Sequence, residues 1–467
     1  MNISKSNLYL SLITSGMFAI LLGYYLTLHG FDLLPTAVLG IGAGISVCAA
    51  IYLPLATVIT LFVTGILPDI FMMTPIYSED YGALGKGLFA VDIVMILMGI
   101  AVAINILRKK IDYKNRFELY ENKLGIRWYV IVFFLLILFE IIRNLGNYGL
   151  SAPGEFRYRY LILVVPLYVS VFFPSKKERI KLLKLLIFLS VFVTLGCIPF
   201  IGILKGWHFG EGDRFVPASV SLGMVYGLIS LLIGKKYRLL SLNILFAWIM
   251  TTAVLIMVLI DSHRSVWLTT GVILLALVWL REIELLKFWA WGIAIIITLS
   301  VVWLVISQTE ISILEYIMTR RISFINPEKD PTSAWRLALW SAQLEKVFAS
   351  PILGEGFGGY WEVYVPEFGG KINISPHNLY IQTLVKMGVL GLVIYLAIVF
   401  QSVVKLMSWI RYNKKATRES AIVITALVIL IGAHAFYFVY AFEYYTWLFV
   451  GLGIATIRDY RSRVIRK

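Results

Sequence analysis

A chain of 467 residues that is 60% hydrophobic, 14% aromatic and only 15% charged, with a mean hydropathy of +0.84, is not a soluble globular domain. Its formal net charge of +15 does not point to nucleic acid, because the basic residues lie in short loops between apolar runs, where they face an anionic leaflet. Cys48 and Cys197 both fall within apolar runs, so no disulfide framework or thiolate metal site is implied.

Apolar runs of roughly 17 to 25 residues, the length that crosses a bilayer core as a helix, recur from end to end. Runs such as LITSGMFAILLGYYLTL and AIVITALVILIGAHAFYFVY do not alternate in polarity, so a transmembrane barrel is excluded. The chain reads as an all-α polytopic membrane protein with about 12 to 14 transmembrane helices. The spans are centred near residues 18, 42, 61, 98, 135, 166, 194, 226, 250, 273, 298, 390, 430 and 451. The first run is long and has no small-residue cleavage site after it, so it reads as a span and not as a cleavable signal peptide.

Charge orients the bundle. The N-terminus, the segments at 108–127, 176–184, 235–238, 281–287 and 405–419, and the C-terminal tail hold 28 of the 42 Lys and Arg but 8 of the 27 Asp and Glu. The positive-inside rule makes that side cytoplasmic, with both termini on it. Residues 1–307 then form the first part of the helix bundle, 308–376 an external loop subdomain, and 377–467 the last part of the bundle. A loop of that length is too long for a plain connector.

Polar residues stand out against this background in chain order. Glu140 and Arg143, one turn apart in the span near 135, can neutralise each other and lower their membrane cost, so structural pairing is the first reading and contact with a substrate the alternative. Arg157 and Arg159 precede the span near 166. Glu211 and Asp213 have the acid-x-acid spacing of a divalent metal site, but a solvated loop or support for the adjacent Arg214 is the stronger reading. Arg214 and Arg264 stand at outer span ends, where a lone arginine is either an interfacial anchor or an anion clamp. His263 reads as support for Arg264, and His434 as a polar contact inside a span.

Within the external segment, Pro331-Thr332-Ser333 marks a helix entry. Leu337, Trp340, Leu344 and Phe348 recur at helical spacing up to Pro351, which describes an amphipathic helix lying on the membrane or the bundle. Gly354-Glu355-Gly356-Phe357-Gly358-Gly359 formally matches a dinucleotide-binding pattern, but no strand or βαβ unit surrounds it. These glycines instead permit a tight turn or a close backbone approach to a ligand. His377-Asn378-Leu379-Tyr380 follows at the mouth of the span near 390. A histidine can accept a proton near neutral pH with little tuning, so His377 is either a base or a helix-entry residue bonded to nearby backbone.

Taken in order, Arg214, Arg264 in HRSVWL, Trp335-Arg336 with Trp340, Pro351 to Gly358, and His377-Asn378-Leu379-Tyr380 followed by Gly388 and Gly391 resemble the O-antigen ligase and Wzy polymerase family over residues of about 205 to 405. The resemblance implies a metal-independent, inverting membrane glycosyltransferase of GT-C-like fold, with no cofactor. It would act at the outer face of the bacterial cytoplasmic membrane on an oligosaccharide carried by undecaprenyl diphosphate and on a glycan acceptor. Membrane lipid surrounds such an enzyme, and a chain-length regulator and a flippase would be its partners.

The residues suit that chemistry. A diphosphate leaving group calls for cations whose planar fork pairs with phosphate oxygens, and an acceptor hydroxyl calls for a base. Arg264 and Arg214 are the clamps and His377 the base. Arg336, Asn378, Tyr380, Arg157 and Arg159 are candidate substrate contacts. A lipid-linked glycan flippase or transporter is the reading from another class, but no pair of related halves with matching broken helices is visible.

Overall fold

The computed structural model describes residues 47–62, 90–108, 126–148, 164–193, 218–240, 250–251, 254, 258, 263–282, 331–358, 362–365, 370–373, 376–413, 417–438 and 445–465. The spans expected near 18 and 298, and most of those near 42 and 250, lie outside the described residues. So do Arg157, Arg159, Glu211, Asp213 and Arg214.

The fold is helical. The elements are α1 (Ala90–Arg108), α2 (Ile126–Tyr148), α3 (Lys176–Phe188, continued by a π-helical turn over Leu189–Val193), α4 (Ala218–Lys236), α5 (Arg264–Trp279), α6 (Pro331–Ala349), a hairpin of β1 (Glu362–Val365) and β2 (Gly370–Asn373), α7 (Leu379–Asn413), α8 (Arg418–Tyr437) and α9 (Tyr445–Ile465). Residues 47–52, 54–62 and 164–172 are also helical. Among the described residues, α7 and α8 are long and apolar enough to cross a membrane.

The helix α8 is the hub. It is apolar on every side and buried almost throughout, as a helix without a polar face must be. The helices α4, α5, α7 and α9 pack on it. Small residues permit the closest approaches: a Cβ at Gly432 would lie 2.3 Å from Ile273 of α5, and one at Gly453 2.6 Å from Ala426 of α8. At the periphery the pattern inverts. Leu135, Phe139 and Ile142 of α2 and Val389, Val393 and Phe400 of α7 are exposed apolar side chains, a surface that suits lipid and not water.

Ion pairs join segments that charge patterning assigns to one side. Lys176 meets Glu419 at 2.6 Å, Lys236 meets Glu282 at 2.8 Å, and the buried Arg179 pairs with Asp459. Ser175 caps α3 in a reciprocal capping box with Glu178. Burial and the neighbouring Glu282 carboxylate push the Tyr237 phenol up from its ordinary value. These contacts gather the start of α3, the end of α4, the residues just past α5, the start of α8 and the C-terminal turns of α9 at one end of the bundle. The start of α7 and the end of α8 lie at the other end.

The segment between α5 and α7 contains the expected amphipathic helix, with its start at Pro331. Its buried stripe is rotated from the expected one. Leu339, Gln343 and Val347 are buried, whereas Leu337 is exposed and Phe348 is 82% exposed. The stripe at four-residue spacing faces α7 and β1, against which α6 packs. The hairpin is an addition to the all-helical expectation. Its strands pair antiparallel, with Val363 opposite Ile372.

Candidate functional site

The polar end of α7 is where the sequence motifs converge. Asn378 caps the helix: its side-chain oxygen accepts from the backbone N–H of Tyr380 at 2.9 Å and of Ile381 at 3.1 Å. Its amide nitrogen donates to the Phe438 carbonyl at the end of α8, at 2.9 Å. One buried side chain therefore starts α7 and ties it to α8. The Tyr380 hydroxyl reaches His434 of α8, with its oxygen 2.8 Å from Nδ1 and 3.0 Å from the backbone carbonyl.

His377 occupies the joint between the hairpin and this cap. It is half-buried, and its φ of 47° lies in the left-handed region, an uncommon conformation for a residue with a side chain. Both neighbours are fixed. Asn378 is the cap, and the Pro376 carbonyl accepts from the Trp340 indole N–H at 2.7 Å. The Trp340 ring also stands edge-on to Phe438, with centroids 6.3 Å apart, and Phe438 lies 5.7 Å from Tyr380. Through Trp340 the helix α6 is pinned beside His377. Arg336, half-buried, lies one turn before Trp340 on the same side of α6.

Below this mouth α7 is broken. Gly388 has φ 61° and ψ −169°, which interrupts the helix and would leave backbone groups unpaired inside an apolar bundle. The loop that leaves α6 fills the gap. Glu355 N–H donates to the Val385 carbonyl at 2.8 Å and Gly356 N–H to the Lys386 carbonyl at 3.0 Å, while Val389 and Leu390 N–H donate to the carbonyls of Pro351 and Ile352 at 2.8 and 3.2 Å. The glycine motif thus serves a close backbone approach, and what it approaches is the break in α7. A Cβ at Gly354 would stand 2.6 Å from the Gly388 nitrogen, and one at Gly388 2.1 Å from the Ile352 oxygen. Gly354, Gly356 and Gly358 all have positive φ, the turn conformation expected of them.

The helix α2 clasps the same loop. Arg143 Nη2 pairs with the fully buried Glu140 at 2.7 Å and donates to the Gly354 carbonyl at 2.8 Å. Asn144, bonded to the Glu140 carbonyl at 2.8 Å, lies where a Cβ on Gly356 would fall, 1.9 Å from its amide nitrogen. The sequence pairs Glu140 with Arg143 but gives no sign of a loop 211 residues away. The available signal is an intramembrane charge pair in the same chain as a run of glycines.

Arg264 is the first residue of α5, directly after His263 at the N-cap position. The structure therefore unites His377, Asn378, Tyr380 and the helix bearing Arg336 in one region, and sets Arg264 at a helix start. Arg214, Arg157 and Arg159 lie outside the described residues.

Residues 245–396 match the model of the O-antigen ligase family. No curated protein matches the chain. The matched segment contains Arg264, α6, the glycine loop, the hairpin, His377 and the broken part of α7, so the family resemblance read from the motifs stands. The match supports a membrane enzyme of the O-antigen ligase or polymerase type, acting on lipid-linked glycan.

Proposed function

We propose that this protein is an inverting, metal-independent membrane glycosyltransferase that polymerises oligosaccharide repeat units carried on undecaprenyl diphosphate, at the outer face of the bacterial cytoplasmic membrane. The observation that carries the reading is the joint at His377: a half-buried imidazole between a helix cap and a carbonyl held by Trp340, one turn from Arg336. Such a joint fixes the backbone on both sides of a proton acceptor and sets it beside the helix that carries Arg336.

In this reading the acceptor hydroxyl attacks the anomeric carbon and its proton passes to an imidazole nitrogen of His377. The bond from the anomeric carbon to the diphosphate breaks, and undecaprenyl diphosphate leaves with the electron pair. Arg264 and Arg214 pair with its oxygens as negative charge grows there. The N-terminus of α5, where Arg264 stands, adds the partial positive charge of a helix end. Arg336, Asn378, Tyr380, Arg157 and Arg159 contact substrate. For Asn378 and Tyr380 the contact is made while their hydrogen bonds to α7 and α8 persist, so they shape the mouth as much as they touch the sugar.

Residues 308–376 form the external subdomain, and both termini are cytoplasmic. Supporting that orientation, the basic segments meet at the end of the bundle opposite to His377. A ligase that hands the glycan to a lipid core or a protein has equal support from the family match, because it needs the same clamps and base. Purified protein supplied with one lipid-linked repeat and no other acceptor separates the two. A ladder of products means polymerase, reaction only after a lipid core or protein is added means ligase, and movement of the substrate without covalent product contradicts both.

A further inference from the structure

We infer that Arg143 is a positioning residue for glycosyl transfer, acting by holding the Pro351–Gly356 loop in the break of α7. The inference rests on the reading of His377 and Arg336 given above and adds to it the part that sets their separation. It starts from an energetic oddity. Glu140 is fully buried in a helix whose exposed face is apolar, and Arg143, its partner, has a side chain that is 30% exposed. An ion pair with a buried carboxylate seldom stabilises a fold more than well-packed apolar residues of the same volume, so the pair calls for a group that it holds in register. The third member of the cluster names that object: the nitrogen that meets Glu140 also donates to the Gly354 carbonyl.

That carbonyl belongs to the connection between the two halves of the candidate site. The helix α6 carries Arg336 and Trp340, α7 opens one residue after Asn378, and the loop after α6 inserts into α7 at Gly388. Two tethers therefore fix α6 against the start of α7. One is the Trp340 to Pro376 bond. The other is the loop in the break, nine residues into α7, or about 14 Å along the helix axis at 1.5 Å per residue. Four backbone bonds seat the loop on α7. Arg143, reaching across from a different helix with Glu140 behind it, adds a hold from a third direction. The close fit of Gly356 on Asn144 braces the same contact. Since misplacement by about 1 Å can cost a hundredfold in rate, a tether remote from the reacting atoms has leverage on turnover.

Lysine and arginine give different answers at a tether and at a phosphate clamp. A lysine at 143 can still pair with Glu140 and donate to one carbonyl, whereas a clamp loses its fork. The experiment measures donor KM, kcat per folded enzyme and melting temperature on purified full-length protein in lipid, with a lipid-linked repeat as substrate. The variants are Arg143→Lys and the double variant Glu140→Gln with Arg143→Met, which removes cation and carboxylate together and leaves no buried charge alone. Arg143→Lys is expected within about threefold of the parent in kcat, and the double variant at least about tenfold lower with donor KM changed less than about threefold.

An unchanged kcat in the double variant, with only a lower melting temperature, overturns the inference in favour of a purely structural pair. A raised donor KM with kcat kept overturns it in favour of direct substrate contact. If the double variant does not insert, Arg143→Lys carries the test: a fall in kcat like that of a clamp arginine contradicts the tether. Wild-type protein that makes no covalent product fails the functional reading instead, and the two failures are thereby distinct.

Discussion

At the scale of single residues, the arginines and the histidine carry different kinds of claim. Arg264 is proposed as a fork that grips a diphosphate, and its place as the first residue of α5 adds the helix end to its charge. Arg264→Lys keeps the charge and loses the fork, so transfer is expected to fall roughly ten- to a hundredfold, matching the loss of about 1.5 to 3 kcal/mol from charge-assisted hydrogen bonds. Steady-state rates of the purified variant check this, and a lysine enzyme at the parental rate would leave Arg264 a diffuse electrostatic role. Residue identities at the site were legible because their chemistry is: a histidine and an asparagine before an apolar run stand out by type. Their second tasks were not. Nothing in the sequence says that Asn378 reaches the Phe438 carbonyl or that Tyr380 meets His434, since the partners come 60 and 54 residues later, at the end of α8.

At the scale of elements, the break in α7 is the feature on which the site is hung. The start of α6 was legible from Pro331 and its end from Pro351, because proline punctuates a helix by its own geometry. Its buried face was not legible. The choice of Leu339, Gln343 and Val347 over Leu337 and Phe348 is made by packing against α7 and β1, a tertiary choice that overrides simple apolar periodicity. The hairpin was missed because strands of four residues are too short for alternation to register. The glycine motif was legible as a turn, but its partner, a helix interrupted without proline, was not. Two glycine substitutions test this element. Gly388→Ala forces a side chain into the left-handed region and against the Ile352 carbonyl, and is expected to cost about 3 kcal/mol or more. Gly271→Ala in α5, where a Cβ meets nothing within 4 Å, is expected to be neutral or to stabilise by up to roughly 1 kcal/mol. Thermal unfolding in one detergent compares them, and equal melting temperatures would remove the break as a built feature.

At the scale of the whole molecule, composition and charge said most. A mean hydropathy of +0.84 and long apolar runs made a helical membrane protein the expected class, and the described helices agree with it. The grouping of basic segments at one end was also legible, because loops that share a membrane side share a charge. The partners within that group, such as Lys176 with Glu419, were not. Sidedness itself has a direct check. Tyr364 in β1 and Tyr412 near the end of α7 are both well exposed. In intact cells a cysteine at Tyr364 is expected to react with an impermeant thiol reagent and one at Tyr412 is not, and the reverse labelling would move the site to the cytoplasmic face.

The central claim is that His377 takes the acceptor's proton during transfer, and the most direct test is the pH dependence of turnover in His377→Ala beside the parent enzyme. An imidazole serves as a base only when neutral, so parental activity is expected to fall as the pH is lowered and His377 takes up a proton. The alanine enzyme is expected to bind the lipid-linked donor, to melt near the parental temperature and to turn over about a hundredfold more slowly or worse, with that acid limb gone. A well-folded His377→Ala enzyme that keeps parental turnover and the same acid limb would contradict the account.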